Sequence, residues 1–354
     1  MKRLFSLLSA MLFGICILSA QGQSIATLNH DGEVQVFYGT DALYYAHSAA
    51  THGDVITLSS GTFSALTITK ELTIRGAGMQ ADSLTNALPT YISGSLRLKI
   101  DTNTVYDLTL EGLNIGYLFL GNSSGSVVIH DPKFIKCKIG NIQSETIIYS
   151  GSGIFYAELR NSLFINCDIY ILPSSSVGST NYNESYSIEF YDAEFINCRI
   201  RRFSNKFTLS SGYSYANCVI VNSTIDNITN YSKVSLINCI IKGGEKPSTA
   251  LTSYYAYMYN CLTSFSDNTR FTEVSNCYTV SSFDGIFEDE ETGELTEEAK
   301  AKYIGNDNTE VGMYGGAMPF DPKTTAPQIT KCNVATKSTA DGKLSVDIEV
   351  KVAE

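Results

Sequence analysis

The chain runs to 354 residues and carries 25 lysines and arginines against 36 aspartates and glutamates, a formal net charge of −11. An acidic chain with no basic stripe argues against nucleic acid as a partner and against simple electrostatic capture of polyanions. Only four histidines (His30, His47, His52 and His130) and the absence of any CxxC pair argue against a metal centre built on the nine cysteines.

Residues 1–22 read as a signal peptide: Lys2 and Arg3 precede an apolar run over 4–18, closed by the small residues Ser19, Ala20 and Gly22. Ile15 before Cys16 does not suit lipoprotein processing. Removing Lys2 and Arg3 with the leader takes the net charge from −11 to −13. No later stretch is long and apolar enough to span a bilayer, so an exported location is expected, whether periplasmic, outer-surface or secreted. Residues 23–60 are expected to form an N-terminal cap and first strand. Positions 41–50 have helical spacing of their apolar residues, Gly53-Asp54 stops that helix, and Val55 begins a strand. A helix there would cover the open end of a stack of coils, which every solenoid needs. Strand-like runs follow at 66–68 and 72–76.

Gly53-Asp54-Val55-Ile56-Thr57-Leu58 with Gly61-Thr62-Phe63, then Leu72-Thr73-Ile74-Arg75-Gly76-Ala77-Gly78, resembles the opening of pectate-lyase-like right-handed parallel β-helix proteins. The resemblance covers roughly residues 35–285. It implies the fold and leaves the activity open, since that superfamily mixes polysaccharide lyases, glycoside hydrolases, adhesins and non-catalytic proteins. Residues 305–321, with Thr309-Glu310-Val311-Gly312-Met313-Tyr314-Gly315-Gly316, are similar to the closing segment of uncharacterised exported β-helix proteins of Bacteroides-type bacteria.

Between these ends an Asn-Cys dipeptide recurs between apolar flanks: Asn166-Cys167, Asn197-Cys198, Asn217-Cys218, Asn238-Cys239, Asn260-Cys261 and Asn276-Cys277, foreshadowed by Lys136-Cys137. The cysteines are spaced by 30, 31, 20, 21, 22 and 16 residues. A unit of roughly 20 residues, rich in β-branched and aromatic side chains and punctuated by Ser, Gly, Asn and Asp, is a coil that stacks on itself. The expected fold is all-β, a right-handed parallel β-helix over 61–285. Gly112 aligns with the repeated asparagines, which puts Leu110 over Phe164, Leu113 over Cys167 and Ile115 over Ile169. Gly and Asn both tolerate a left-handed backbone, so this position is expected to bend the chain between two strands of one coil.

Three inward columns follow. One holds Phe134, Phe164, Phe195, Tyr215, Leu236, Met258 and Val274, and a second holds Cys137, Cys167, Cys198, Cys218, Cys239, Cys261 and Cys277. The third holds Ile139, Ile169, Ile200, Ile220 and Ile241. Burial as a small apolar residue in a tight column is the favoured role of the cysteines over disulfide formation, with Cys332 outside the column. Asn166, Asn197, Asn217, Asn238, Asn260 and Asn276 are expected to stack as a ladder, each amide bonding its neighbours at about 1 kcal/mol apiece.

Chemistry on such a coil would use outward side chains. Lys138, Asp168 and Arg199 are expected about 4.8 Å apart on successive coils, with Tyr170 and Arg201 beside them and Val219 and Val221 continuing the outward face. Lys138, Asp168, Tyr170, Arg199 and Arg201 are the ligand-binding candidates. They could grip an acidic sugar, or they could be an alternating-charge ladder worth under about 1 kcal/mol per exposed pair. Hydrolase motifs are missing: there is no paired Asp-Asp and no Asn-Thr-Asp, and the single His-Gly, His52-Gly53, falls in the cap. Arg199-Ile200-Arg201 is faintly similar to the Arg-Ile-Lys of polygalacturonases. No catalytic residue, metal ligand or cofactor is assigned, and calcium enters only under a lyase alternative.

One residue before each bend stand Ile135, Ile165, Ile196 and Ile237, an outward apolar row expected to be covered by the insertion at 173–187 or by the C-terminal hairpin. Tyr254, Tyr255, Tyr257 and Tyr259 crowd one coil and could stack on sugar rings. Residues 286–327 are expected as an acidic loop and linker, the stretch 284–298 holding eight carboxylates without the residue order of a calcium loop. Residues 328–354 are expected as a small β-hairpin that must dock, since so short a hairpin does not hold together alone. The function expected is an exported, non-catalytic β-helix protein that binds glycan or a cell-surface component along its long face. The alternatives are a polysaccharide lyase acting on acidic glycan and a structural or adhesive surface protein. The oligomeric state stays open.

Overall fold

The computed structural model describes residues 24–81, 88–99, 107–121, 127–144, 157–171, 188–205, 217–231, 233–244, 255–265, 271–323, 328–334, 337, 342–343 and 345–351. The leader, the insertion at 173–187, Tyr215 and Tyr254 lie outside the described residues. The chain folds as a parallel β-helix. Each coil gives one short strand before its bend and another after it, for example Leu163–Ile165 then Asp168–Ile171, and Glu194–Ile196 then Arg199–Asn205. The leading strands and the following strands stack in parallel in two twelve-stranded sheets, the first of which is completed at its upper edge by an antiparallel hairpin. A third, three-stranded sheet joins Val127–His130, Ala157–Arg160 and Ile188–Tyr191.

The bends are left-handed: Lys136, Asn166, Asn197, Asn238, Asn260 and Asn276 have φ of 49, 54, 50, 53, 51 and 52°, and Gly112 has 64°. With that geometry fixed, every coil presents the same positions inward. Leu110, Phe134, Phe164 and Phe195 lie in register, and the last three rings stack with centroids 4.6 Å apart. Beyond the bend, Ile115, Ile139, Ile169 and Ile200 form the second buried row. Both rows belong to one continuous core. In-register aromatic and β-branched stacking of this kind is the main source of stability in a solenoid, because each coil buries its face only against its neighbours.

One repeat is out of phase with the expectation. Phe195 pairs with Ile220 and Ile196 with Val221, so the bend of the next coil is Asn222, at φ 44°, and not Asn217. Asn217 is exposed. Cys218 stands at the start of the leading strand, opposite Val234, and is buried there outside the bend column. Ile220 accordingly belongs to the phenylalanine row and Ile225 takes the place expected for it after the bend. Asn-Cys occurs five residues early by coincidence, and Asn222-Ser223 does the work of the motif.

The cysteines at the bend phase are more than space fillers. Cys167 and Cys198 each place the thiol within 3.4 Å of the carbonyl two residues back and of a carbonyl one coil earlier, so the S–H has an acceptor in either direction. The sulfur also accepts: Cys239 N–H donates to Cys261 Sγ at 3.3 Å and Cys261 N–H to Cys277 Sγ at 3.4 Å. Ser223 repeats both roles, taking the Cys198 N–H at 3.0 Å and donating to the Val221 carbonyl at 2.8 Å. The column thereby satisfies backbone groups that the bend leaves without ladder partners. Cys137, Cys167, Cys198, Cys218, Cys239, Cys261 and Cys277 are all free thiols. Burial pushes Cys218 up to about 12.

The upper end is closed by an antiparallel hairpin, Ile25–His30 with Glu33–Tyr38, and by helix α1, Ala42–Ala49, which buries Ala42, Leu43, Ala46 and His47. Lys70 Nζ caps the helix by donating to the carbonyls of His47, Ser48 and Ala50. Burial holds His47 down to about 4, and its Nε2 accepts the Thr69 N–H at 3.2 Å.

The acidic stretch is an ordered, docked unit. Strands Phe287–Asp289 and Glu294–Leu295 pair, and helix α2, Glu297–Lys302, follows with Thr296 accepting the Ala299 N–H at its start. Ile286, Phe287, Leu295, Ala299, Tyr303 and Val311 bury against Ile240 and Leu262 on the outer face of the second sheet, while Glu288, Asp289, Glu290 and Glu291 face solvent. Gln328–Val334 and Val346–Lys351 form the expected antiparallel hairpin. Its Val346 and Ile348 remain about half exposed, at 49% and 52%, so docking does not cover these apolar side chains.

Candidate functional site

In-register stacking makes the outer face of the second sheet a readable column: Tyr91, Asn114, Lys138, Asp168, Arg199, Thr224, Ile240, Leu262, Tyr278. Its lower members are covered by the docked unit. Its middle members, Asn114, Lys138, Asp168 and Arg199, floor a cavity of about 480 Å³ together with Arg201. Four of the five candidates named from sequence therefore meet in one pocket. Tyr170 does not: a bulge sets it opposite Arg202, and it is half-buried outside the lining. Val219 and Val221 lie in the leading sheet, a consequence of the same five-residue shift.

The charges in the floor are mostly committed. Asp168 is 3% exposed and accepts two hydrogen bonds from Arg201, each 2.8 Å, a bidentate pair that raises the arginine further above its ordinary value. Arg199 donates to the Glu291 carbonyl and lies 3.6 Å from Asp226. Lys138 is paired through its backbone in the sheet, and its side chain has no hydrogen bond or ion pair among the described residues. The floor therefore offers one uncommitted ammonium beside a neutralised ion pair, and this is the group through which a polar ligand could be held.

The wall comes from far along the chain. Tyr314, Phe320 and Pro322 form it, and Glu291, Thr292 and Met79 complete the lining. The Tyr314 hydroxyl donates to the Thr292 carbonyl at 3.1 Å, and burial pushes that phenol up. Met79, Met313 and Phe320 share a small apolar cluster that seats the wall on the helix.

Segment 305–322 carries this wall, and the asparagine bends hold it in place. Asn238 Nδ2 donates to Asn306 Oδ1 at 2.8 Å and its Oδ1 accepts the Asn306 N–H at 3.0 Å. Asn222 Nδ2 donates to Asp307 at 3.1 Å. Asn197 Nδ2 donates to the carbonyls of Met313 and Gly315 at 2.9 and 2.6 Å. Asn166 Oδ1 accepts the Asp321 N–H at 2.8 Å, and Lys136 Nζ pairs with Asp321 at 3.3 Å. The expected ladder of amides bonding one another is corrected on this point. The side chains of Asn166, Asn197, Asn222 and Asn238 turn outward and grip the segment, because the left-handed bend aims each amide away from the core.

The outward isoleucines Ile135, Ile165, Ile196 and Ile237 are half-buried, stacked in register on the leading sheet. Tyr257 and Tyr259 stack there at 6.2 Å, with the Tyr259 hydroxyl on Glu273 at 3.1 Å. Among the described residues no group of histidine, cysteine or carboxylate side chains is arranged to hold a metal ion. Asn114 was legible, since it aligns with Lys138 once Gly112 is aligned with the asparagines. Tyr314 and Phe320 were not, because no local signal tells which coil a distant segment will cross. No family model matches this chain, and no curated protein matches it.

Proposed function

We propose that the protein is an exported, non-catalytic β-helix protein that binds carbohydrate in the pocket between the second sheet and segment 305–322. The observation that carries this reading is the pairing of a polar floor with an aromatic wall in a cavity of about 480 Å³, a size and lining that suit a small polar ligand with apolar ring faces. Export rests on the leader-like residues 1–22. The non-catalytic part rests on Asp168, whose carboxylate is occupied by Arg201 and so is not free to act as acid or base. A glycan array with pull-downs from cell-wall extracts tests the reading. Retention is expected to fall at least about tenfold, roughly 1.4 kcal/mol, in Lys138→Ala and Tyr314→Ala. Cleavage of any polysaccharide by the purified protein overturns the non-catalytic part.

One observation favours a second reading, a lyase acting on acidic glycan. The Lys138 side chain has no partner among the described residues and shares the pocket with two guanidinium groups, and in its neutral form it would be placed to take a proton next to a sugar carboxylate. An ultraviolet-absorbing unsaturated product, lost in Lys138→Ala, separates the two readings.

A further inference from the structure

The pocket has a divided construction: its floor belongs to the coils and its aromatic wall to segment 305–322. We infer that this segment is a strap whose docking on the asparagine bends controls access to the pocket. This regulation of the site rests on the reading of the pocket as a ligand site.

Several features support a unit that docks and releases as a whole. The strap crosses the coils through polar side-chain contacts, spaced one per coil at Asn238, Asn222, Asn197 and Asn166, with Val311 packed on Ile240 and Leu262 as its apolar anchor at the lower end. These amides are buried while the strap is docked and can bond water once it lifts, so each contact contributes modestly by itself and the set acts cooperatively. The apolar anchors at the pocket end are few, Met313 and Phe320 against Met79. Tyr314 bridges strap and acidic hairpin through the Thr292 carbonyl, so releasing the strap breaks a link between two parts of the pocket's lining. The coils below keep their own core, in which Phe164, Phe195 and Ile200 are fully buried in a cluster that contains no strap residue. Opening therefore need not unfold the helix.

Gly316 offers a way to loosen the strap from its own side. Its φ is +77°, and a Cβ there would collide with the Asn222 amide. Gly316→Ala perturbs the strap, and Asn197→Ala removes the two amide bonds to Met313 and Gly315 from the coil side.

Both are to be made in the full chain carrying Lys138→Cys, which places a thiol in the pocket floor. Two readouts follow: hydrogen exchange of residues 305–322, and the rate at which the new thiol reacts with a bulky maleimide, separated from the native cysteines by peptide mapping. Each variant is expected to raise strap exchange at least tenfold as a block and to raise labelling by the same factor, with exchange at Phe195 and Ile200 unchanged. Labelling that stays constant while strap exchange rises overturns the inference. Should either variant loosen the coils, the temperature dependence of the Lys138→Cys protein alone decides. Labelling that follows strap exchange supports the inference, and labelling that follows coil exchange overturns it. Neither readout uses a ligand, so the strap can fail while carbohydrate retention stands, and the reverse.

Discussion

The upper and lower coils share one interior and differ on their outer face. Inside, Phe164, Phe195, Leu236 and Met258 continue a single row. Outside, the same column of the second sheet reads Asn114, Lys138, Asp168, Arg199 in the upper coils and Ile240, Leu262, Tyr278 in the lower ones. The lower coils bind a piece of their own chain through apolar contact, and the upper coils are left as the floor of a cavity. Inward columns set the fold, while one outward column sets where the chain covers itself and where it leaves a site.

The largest effect is expected from reversing that difference. Leu262 is fully buried under the docked unit. Leu262→Asp puts a carboxylate in that interface and is expected to cost at least about 4 kcal/mol, or to undock residues 286–311. Urea melts with limited proteolysis read both outcomes. A drop under about 1 kcal/mol would mean that the apolar outer column holds nothing.

Asn197 stands where the two regions meet, 1% exposed, at φ 50°, with two bonds to the strap. Asn197→Leu loses both bonds and forces a bulky residue into a left-handed bend, for about 3 kcal/mol. Asn197→Gly keeps the backbone and loses only the amide, for about 1–2 kcal/mol. Thermal melts that rank leucine as the milder change would falsify the bend assignment.

A smaller effect tests the shared interior. Ser223→Ala strands the Cys198 N–H and is expected to cost about 1–2 kcal/mol. Ser223→Cys restores the group that the neighbouring coils use and should stay within about 1 kcal/mol of the native protein. Equal losses in the two would show that the bend-phase side chain does not satisfy that N–H.

The smallest effects sharpen the contrast. Lys138→Ala, in the open upper column, and Asn217→Leu, at an exposed position outside any bend, should each change stability by no more than about 0.5 kcal/mol. Lys138→Ala is nevertheless expected to lose carbohydrate retention. A destabilisation above about 1 kcal/mol in Asn217→Leu would return that residue to the ladder.

What the sequence by itself determined are the features enforced locally in every coil. A residue that tolerates positive φ must stand at each bend, and alternation on either side of it then dictates which side chains enter the core, as Phe164, Cys167 and Ile169 do around Asn166. That pattern also placed Lys138, Asp168 and Arg199 on one outward line. It failed at Asn217-Cys218, where dipeptide identity pointed one way and strand pairing another. Pairing prevailed because a shift of five residues would have withdrawn Ile220 and Ile225 from the two core rows. Only the tertiary structure decided what the asparagine amides bond, which coils the acidic stretch covers, and that Tyr314 and Phe320 wall the pocket. The asparagine amide bonds alone join residues up to 155 positions apart. They depend on matching two finished surfaces, and no local pattern of φ, periodicity or polarity encodes that match.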